Sequence, residues 1–288
     1  MEWHVLRRSD DTTLDILAER YRLHPLHIED CRHGDQTAKL EEGVGYSFVV
    51  LKPADLNGQG ELSIGDFDIF IGPDFLITFE ETESRSVRQV ISRLQDQPPD
   101  TRSDQLFYRI FDAIVDSYRP VLDYFSEEID SLQDQILLSP EPALLERIFD
   151  VKRALIHMRR VLTPSRDIVN HMQRANGTRS AAELSPYYRD VYDHLARNID
   201  TVEMLRDLLN GSLDIYLSSV ANRTNQVMKV LTVLSTVALP ALIISSFYGM
   251  NFEHLPGLKS PYGVLYATGA VIGSSLLLLA GLRWVRWI

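Results

Sequence analysis

The chain has 288 residues, 45% hydrophobic and 24% charged, with a formal net charge of −11 and one cysteine. The acid excess excludes the basic face that binding to nucleic-acid phosphates requires, and one cysteine excludes a disulfide framework or a Cys-based zinc site. No GxxxxGK[ST] phosphate loop, GxSxG elbow or HExxH helix occurs, so an enzyme is not expected, nor an organic cofactor.

The chain opens on MEWHVLRRSDD, polar from the start and without the apolar core of a secretion signal. LDILAERYRL has helical apolar spacing. His24-Pro-Leu-His27 is a histidine pair without a third ligand and reads as the start of a helix. Cys31 reads as a partly buried thiol. From about Leu40 to Glu80, YSFVVLKP, LSIGDFDIFIG and FLITFEE are rich in β-branched and aromatic residues, with GPD as a hairpin turn between the last two. SVRQVISRL is helical again. Residues 1–100 are therefore expected to form an α/β domain. QDQPPDTRSD breaks the chain, and two helical segments follow within 101–185, punctuated by Pro140 and Pro142.

Val191, Leu195, Ile199, Val202, Leu205, Leu209, Leu213, Tyr216 and Val220 recur with a mean step of about 3.6 residues, the helical period. No firm break separates this pattern from the apolar run that follows, and Pro240 lies where proline is tolerated. One helix is expected over 186–250, roughly 95 Å long at 1.5 Å per residue. A rod of that length implies a stalk packed against copies of itself.

Val230–Phe252 and Ser260–Leu282 are each uncharged except at their borders and long enough to cross a bilayer. Beyond Val230 the only charged residues are Glu253, Lys259, Arg283 and Arg286, a net of +2, which leaves −13 on the preceding part. An acidic part is thus joined to an almost uncharged hairpin, an arrangement that attracts cations. Arg223 and Lys229 precede the first span, and Arg283 and Arg286 follow the second. The positive-inside bias places both termini in the cytoplasm and the short loop, within 251–260, outside. The second span and tail, 261–288, carry interfacial Trp284 and Trp287 and a weak Gly269–Gly273 packing motif. A multi-pass protein of the inner or plasma membrane is expected.

NRTNQVMKVLTVLSTVALPALIISSFYGMNF, the short loop and the last span together resemble the CorA family of Mg²⁺/Co²⁺ transport proteins, within the two-span GxN superfamily. The upstream order of elements fits as well. The resemblance implies an α/β cytoplasmic domain, a long helical stalk and two C-terminal transmembrane helices, assembled as a funnel-shaped homopentamer in the lipid bilayer. The first span would line a central pore. Gly249, Met250 and Asn251 would form its selectivity ring, in which amide and carbonyl oxygens hold a hydrated ion without stripping its water.

Asn225, Met228, Leu231, Ser235 and Leu239 recur every three to four residues. The stripe reads either as helix or lipid packing or, by the resemblance, as a pore lining with Met228 and Leu231 as a hydrophobic gate. Polar Asn225 and Ser235 favour the pore. Glu253 would attract cations to the mouth. The loop has LPGL where many relatives have MPEL, and the tail has fewer basic residues than theirs. The resemblance also implies regulation by cytoplasmic Mg²⁺ bound between acidic residues of neighbouring subunits, with Asp190, Glu83 and Asp214 as the candidates. The transported ion is expected to be Mg²⁺, with Co²⁺ or Ni²⁺ as companions. The alternatives are a Zn²⁺ transporter of the same fold, which His254 keeps open, and a non-conducting membrane-anchored sensor or scaffold.

Overall fold

The computed structural model describes residues 1–34, 36–80, 84–95, 102–174, 179–250 and 260–284. They divide into two compact units, Met1–Ile215 and Tyr216–Ile288.

The first unit is built on a five-stranded sheet. Its strands are β1 (Glu2–Arg7), β2 (Lys39–Gly43), β3 (Tyr46–Leu51), β6 (Phe67–Ile71) and β7 (Phe75–Glu80), in the order β1-β7-β6-β3-β2. Only β1 pairs parallel, against β7. A small antiparallel hairpin, β4 (Ala54–Leu56) with β5 (Leu62–Ile64), branches off between β3 and β6.

Side chains alternate across a strand, and here both faces are covered. Phe48, Val50, Phe70, Phe75, Ile77 and Phe79 pack with Leu14, Leu17, Ile28 and Cys31 of helices α1 (Asp11–Tyr21) and α2 (Pro25–His33). Their neighbours Val49, Leu51, Ile69 and Leu76 point the other way and are also fully buried, on the side of α4 (Ser103–Leu138). Burial on both faces explains why these strands read as continuous apolar runs rather than alternating ones. Cys31 is more deeply buried than the sequence suggested, at 1% exposure.

His24 caps α2. Its Nδ1 accepts from the Leu26 backbone N–H at 3.2 Å, with Pro25 at the first helical position. This is the helix-start role expected of the histidine pair. Strand β1 was not anticipated: EWHVLR alternates only over Glu2–Val5, and Leu6 breaks the pattern. It is held at the sheet edge by its backbone ladder to β7 and by bonds such as Trp3 Nε1 to Thr78 Oγ1 at 3.3 Å.

After α3 (Arg85–Gln95), three long helices follow: α4, α5 (Pro142–Arg174) and α6 (Arg179–Tyr248). Helix α4 buries Leu106, Ile110, Ile114, Tyr118, Leu122, Phe125, Ile129, Leu132 and Ile136, a stripe at helical spacing. Tyr118 is fully buried and donates from its hydroxyl to the Lys52 carbonyl at 2.9 Å, tying α4 to the sheet. Pro142 begins α5, as its fixed φ favours.

Helix α6 starts before Pro186, where the sequence placed its beginning, and runs unbroken through Gly211 and Pro240. In the first unit it buries Val191, Leu195, Val202, Leu205 and Leu209. Beyond Leu209 the seam keeps the helical period but not the expected apolar residue. Ser212, not Leu213, is fully buried, accepting from Gln133 Nε2 at 3.0 Å and donating to the Leu208 carbonyl at 2.9 Å. The buried hydroxyl is thus hydrogen-bonded on both sides, as a buried polar group requires.

The second unit holds the remainder of α6 and α7 (Gly263–Trp284). Both helices are long and apolar enough to cross a membrane. Ser275 Oγ of α7 donates to the Val237 carbonyl of α6 at 3.1 Å, the kind of inter-helix bond that hydrocarbon surroundings favour. Gly269 and Gly273 have nothing within 4 Å of a would-be Cβ, so among the described residues the GxxxG spacing does not mediate this contact.

Candidate ion pathway and metal site

In the second unit, α6 has one covered face and is largely exposed elsewhere. Val233, Val237, Pro240 and Ile244 are partly or fully covered, on the side of the Ser275 bond to α7. Asn225, Met228, Leu231, Ser235 and Leu239 are all exposed, with Met228 and Leu231 at 55% each. At 100° per residue the two sets lie roughly 150° apart around the helix. The stripe therefore points away from the chain's own second span. Neither Asn225 nor Ser235 makes a side-chain hydrogen bond among the described residues, whereas Thr232 and Thr236 return theirs to the Met228 and Thr232 carbonyls, both at 2.8 Å.

Helix α6 ends at Tyr248, and the Gly249 N–H still bonds to the Ser245 carbonyl at 2.9 Å. Gly249 is not among the residues with positive φ. What it supplies is room, since a Cβ there would stand 3.1 Å from the Ser245 carbonyl oxygen. Met250 follows, 52% exposed. Asn251, Glu253 and His254 lie outside the described residues.

In the first unit, Asp190 is exposed on α6. Glu83, expected to meet it from a neighbouring subunit, lies outside the described residues. Within the chain, Asp112 of α4 and His194 of α6 join Asp190, with one ligand atom from each within 4.8 Å of the others. His194 stands one turn from Asp190, Nε2 to Oδ1 3.8 Å, and its Nδ1 is 3.4 Å from Asp116 Oδ1.

Burial raises the Asp112 carboxyl above the usual carboxylate range, and the charges of Asp116 and Asp190 add to the effect against the pull of His194. Burial also pushes the adjoining Tyr108 hydroxyl up to about 12, helped by Asp112 and Asp190. Tyr108 packs edge-on against Tyr188 at 5.8 Å and tilted against Tyr187 at 5.4 Å, which walls one side of the group. Carboxylate oxygens suit a hard cation such as Mg²⁺, and the spacing leaves space for a partly hydrated one. The imidazole also suits softer metals. Asp112 and His194 escaped the sequence reading. Asp214 is exposed farther along α6, outside this group.

The sequence pattern of the family described as CorA-like Mg²⁺ transporter protein matches residues 1–284. The chain is 34% identical to the cobalt/magnesium transport protein CorA of Thermotoga maritima, over 98% of this chain and 81% of that protein. Its fold matches the complete CorA magnesium transporter structure from Methanocaldococcus jannaschii with a TM-score of 0.83 at 22% identity, covering 99% of this chain and 91% of the other. It also matches the ZntB cytoplasmic domain of Vibrio parahaemolyticus, with a TM-score of 0.60 at 12% identity over 77% and 88% of the two chains. The match over the whole described fold, together with the level of identity, settles the relationship: the chain belongs to the CorA-like Mg²⁺ transporter family.

Proposed function

We propose that this chain is one subunit of a homopentameric channel that moves Mg²⁺, with Co²⁺ or Ni²⁺ as further substrates, through a pore lined by the membrane part of α6. The observation that carries this reading is the exposed stripe Asn225, Met228, Leu231, Ser235 and Leu239, opposite the face that meets α7. A polar–apolar stripe turned from its own partner helix suits a water-filled axis better than lipid, because intramembrane polar groups face cavities.

Met228 and Leu231 would close the pore by dewetting. Gly249, Met250 and Asn251 would ring its mouth, and Glu253 would raise the local cation concentration. Asp190, with Asp112 and His194, would hold the regulatory cation. Asp214 remains a candidate for a second acidic ring, and Glu83 for a ligand from the neighbouring subunit. The flanking charges support termini in the cytoplasm.

The membership of His194 in the metal group and the presence of His254 in the loop keep zinc transport as the second reading. Uptake by proteoliposomes, with Mg²⁺, Co²⁺ and Zn²⁺ each tested alone, decides between them. Mg²⁺ uptake should exceed Zn²⁺ uptake and should fall at least about tenfold in Asn251→Ala, with the assembled oligomer intact by size-exclusion chromatography. Zn²⁺ flux without Mg²⁺ flux would select the zinc reading. No flux of any ion through an intact oligomer would leave a non-conducting sensor.

A further inference from the structure

The first unit also contains a large cleft, with a volume of about 1390 Å³, bounded by the β4–β5 hairpin, α4 and α5. It is larger than the roughly 300–1,000 Å³ of ordinary small-molecule sites. No residue of the metal group or of the stripe lines it.

Its charge is unlike that of the protein around it. Lys52, Arg147, Arg153, Arg159 and Arg160 line it, with His157, against only Glu61, Glu128 and Asp150. The lining thus has more cations than anions, although the chain before Val230 is strongly acidic. Each of the three carboxylates is already engaged. Arg147 bonds Glu128 at 2.6 Å, Arg153 bonds Asp150, and Asn57 Nδ2 donates to Glu61 at 2.8 Å. Lys52 is committed to Asp66, and Arg159 to Glu203 at 2.8 Å.

His157 and Arg160 have no ion pair among the described residues. Arg153, His157 and Arg160 fall at i, i+4 and i+7 along α5, which places them on one face. All three are exposed. Each guanidinium presents a planar fork of N–H donors that matches phosphate oxygens.

The opposite wall is firm and partly aromatic. Asn57 Oδ1 accepts the backbone N–H groups of Gln59 and Glu61, both at 2.9 Å, and fixes the hairpin turn. Gly60 has φ +80°, and a Cβ there would meet the Tyr124 hydroxyl at 2.0 Å. Only glycine lets the turn and the tyrosine approach so closely. Tyr124 is half-buried and lines the cleft together with the apolar Leu62, Ile64 and Val151. One side thus offers Arg160 and His157, free of ion pairs among the described residues, beside Arg153, which is shared with Asp150, and the other offers aromatic and aliphatic surface.

We propose that this cleft is a site for a nucleoside triphosphate, with the phosphates on Arg153, His157 and Arg160 and the base against the Tyr124 wall. The proposal is independent of the cation pathway and of the metal group.

The test uses the full-length protein in detergent, with EDTA to remove divalent cations. Titration calorimetry with ATP should give saturable binding at about millimolar concentration or below. Binding should weaken as salt screens the charges. The double variant His157→Glu, Arg160→Glu disturbs no ion pair among the described residues. It should lower ATP affinity at least about tenfold while keeping the parent's circular dichroism and elution volume. Arg160→Gln alone should give a smaller loss in the same direction, and serves if the double variant misfolds. Inorganic tripolyphosphate should bind more weakly than ATP. Absence of saturable ATP binding overturns the proposal, as does affinity unchanged in a folded variant. Equal affinity for tripolyphosphate overturns the assignment to a nucleotide.

Discussion

Met228 and Leu231 are exposed on a helix otherwise suited to hydrocarbon, and an apolar ring formed by copies of them would hold water out of a narrow axis. Met228→Asp should therefore leave a leaky channel, with basal Mg²⁺ flux several-fold above the parent when cytoplasmic Mg²⁺ is high. Flux equal to the parent's in purified, assembled protein would place the gate elsewhere. His27 tests the soluble fold instead. It stacks on Phe48 at 4.6 Å, bonds the Tyr46 hydroxyl at 2.9 Å and lies 3.0 Å from Glu41. Burial lowers its pKa below that of a free histidine, outweighing the opposing pull of Glu41. A depressed folded-state pKa contributes stability that is present above the unfolded pKa and lost as pH falls toward the folded one. As pH falls below about 6.5, the unfolded chain takes up this proton before the native one does, which costs at most about 1.4 kcal/mol per pH unit. His27→Gln should flatten that part of the curve of thermal unfolding against pH. An unaltered slope would assign the acid sensitivity to other groups.

At the level of elements, legibility in the sequence followed the type of constraint. Strands β3, β6 and β7 were plain because they are buried on both faces, and α4 to α6 because their apolar residues keep the helical period. Strand β1 was not, since an edge strand is fixed by backbone pairing more than by its side-chain pattern. Ser212 was missed because a polar side chain occupies a seam position that falls on the helical period. The metal group shows the same limit. Asp190 was named through family resemblance, but Asp112 sits on a different helix far away in sequence, and only the packing of α4 against α6 joins them. The grouping carries a thermodynamic consequence. If this group holds Mg²⁺ as proposed, binding would stabilise the folded state by about 2.7 kcal/mol at a hundredfold its Kd. Asp190→Ala and Asp112→Asn should each remove most of the rise in unfolding temperature that Mg²⁺ produces. Asp112→Asn should also raise the unfolding temperature in EDTA, because it removes a carboxylate whose charged form burial and Asp116 disfavour. A full Mg²⁺ response in both variants would dissociate the group from metal binding.

Across the whole molecule, charge is partitioned: an acidic part precedes Val230, and an almost neutral helical hairpin follows, bordered by Arg223, Lys229, Arg283 and Arg286 outside its loop. Four cations at the outer ends, against Lys259 and Glu253 at the tip, support the proposed orientation with the loop away from the cytoplasm. The native thiol makes this simple to measure. Cys31 is 1% exposed, and burial, followed by the nearby Asp68 charge, raises its pKa well above that of a free cysteine. It is therefore held as the thiol, which is the unreactive form, and serves as a silent background. New cysteines at Leu255→Cys in the loop and at exposed Ser9→Cys would report the two sides. A membrane-impermeant maleimide added to intact cells should label Leu255→Cys and leave Ser9→Cys untouched until the membrane is opened. Labelling of Ser9→Cys in intact cells would reverse the orientation. It would also move the acidic unit, with its metal group and its basic cleft, to the compartment from which cations enter.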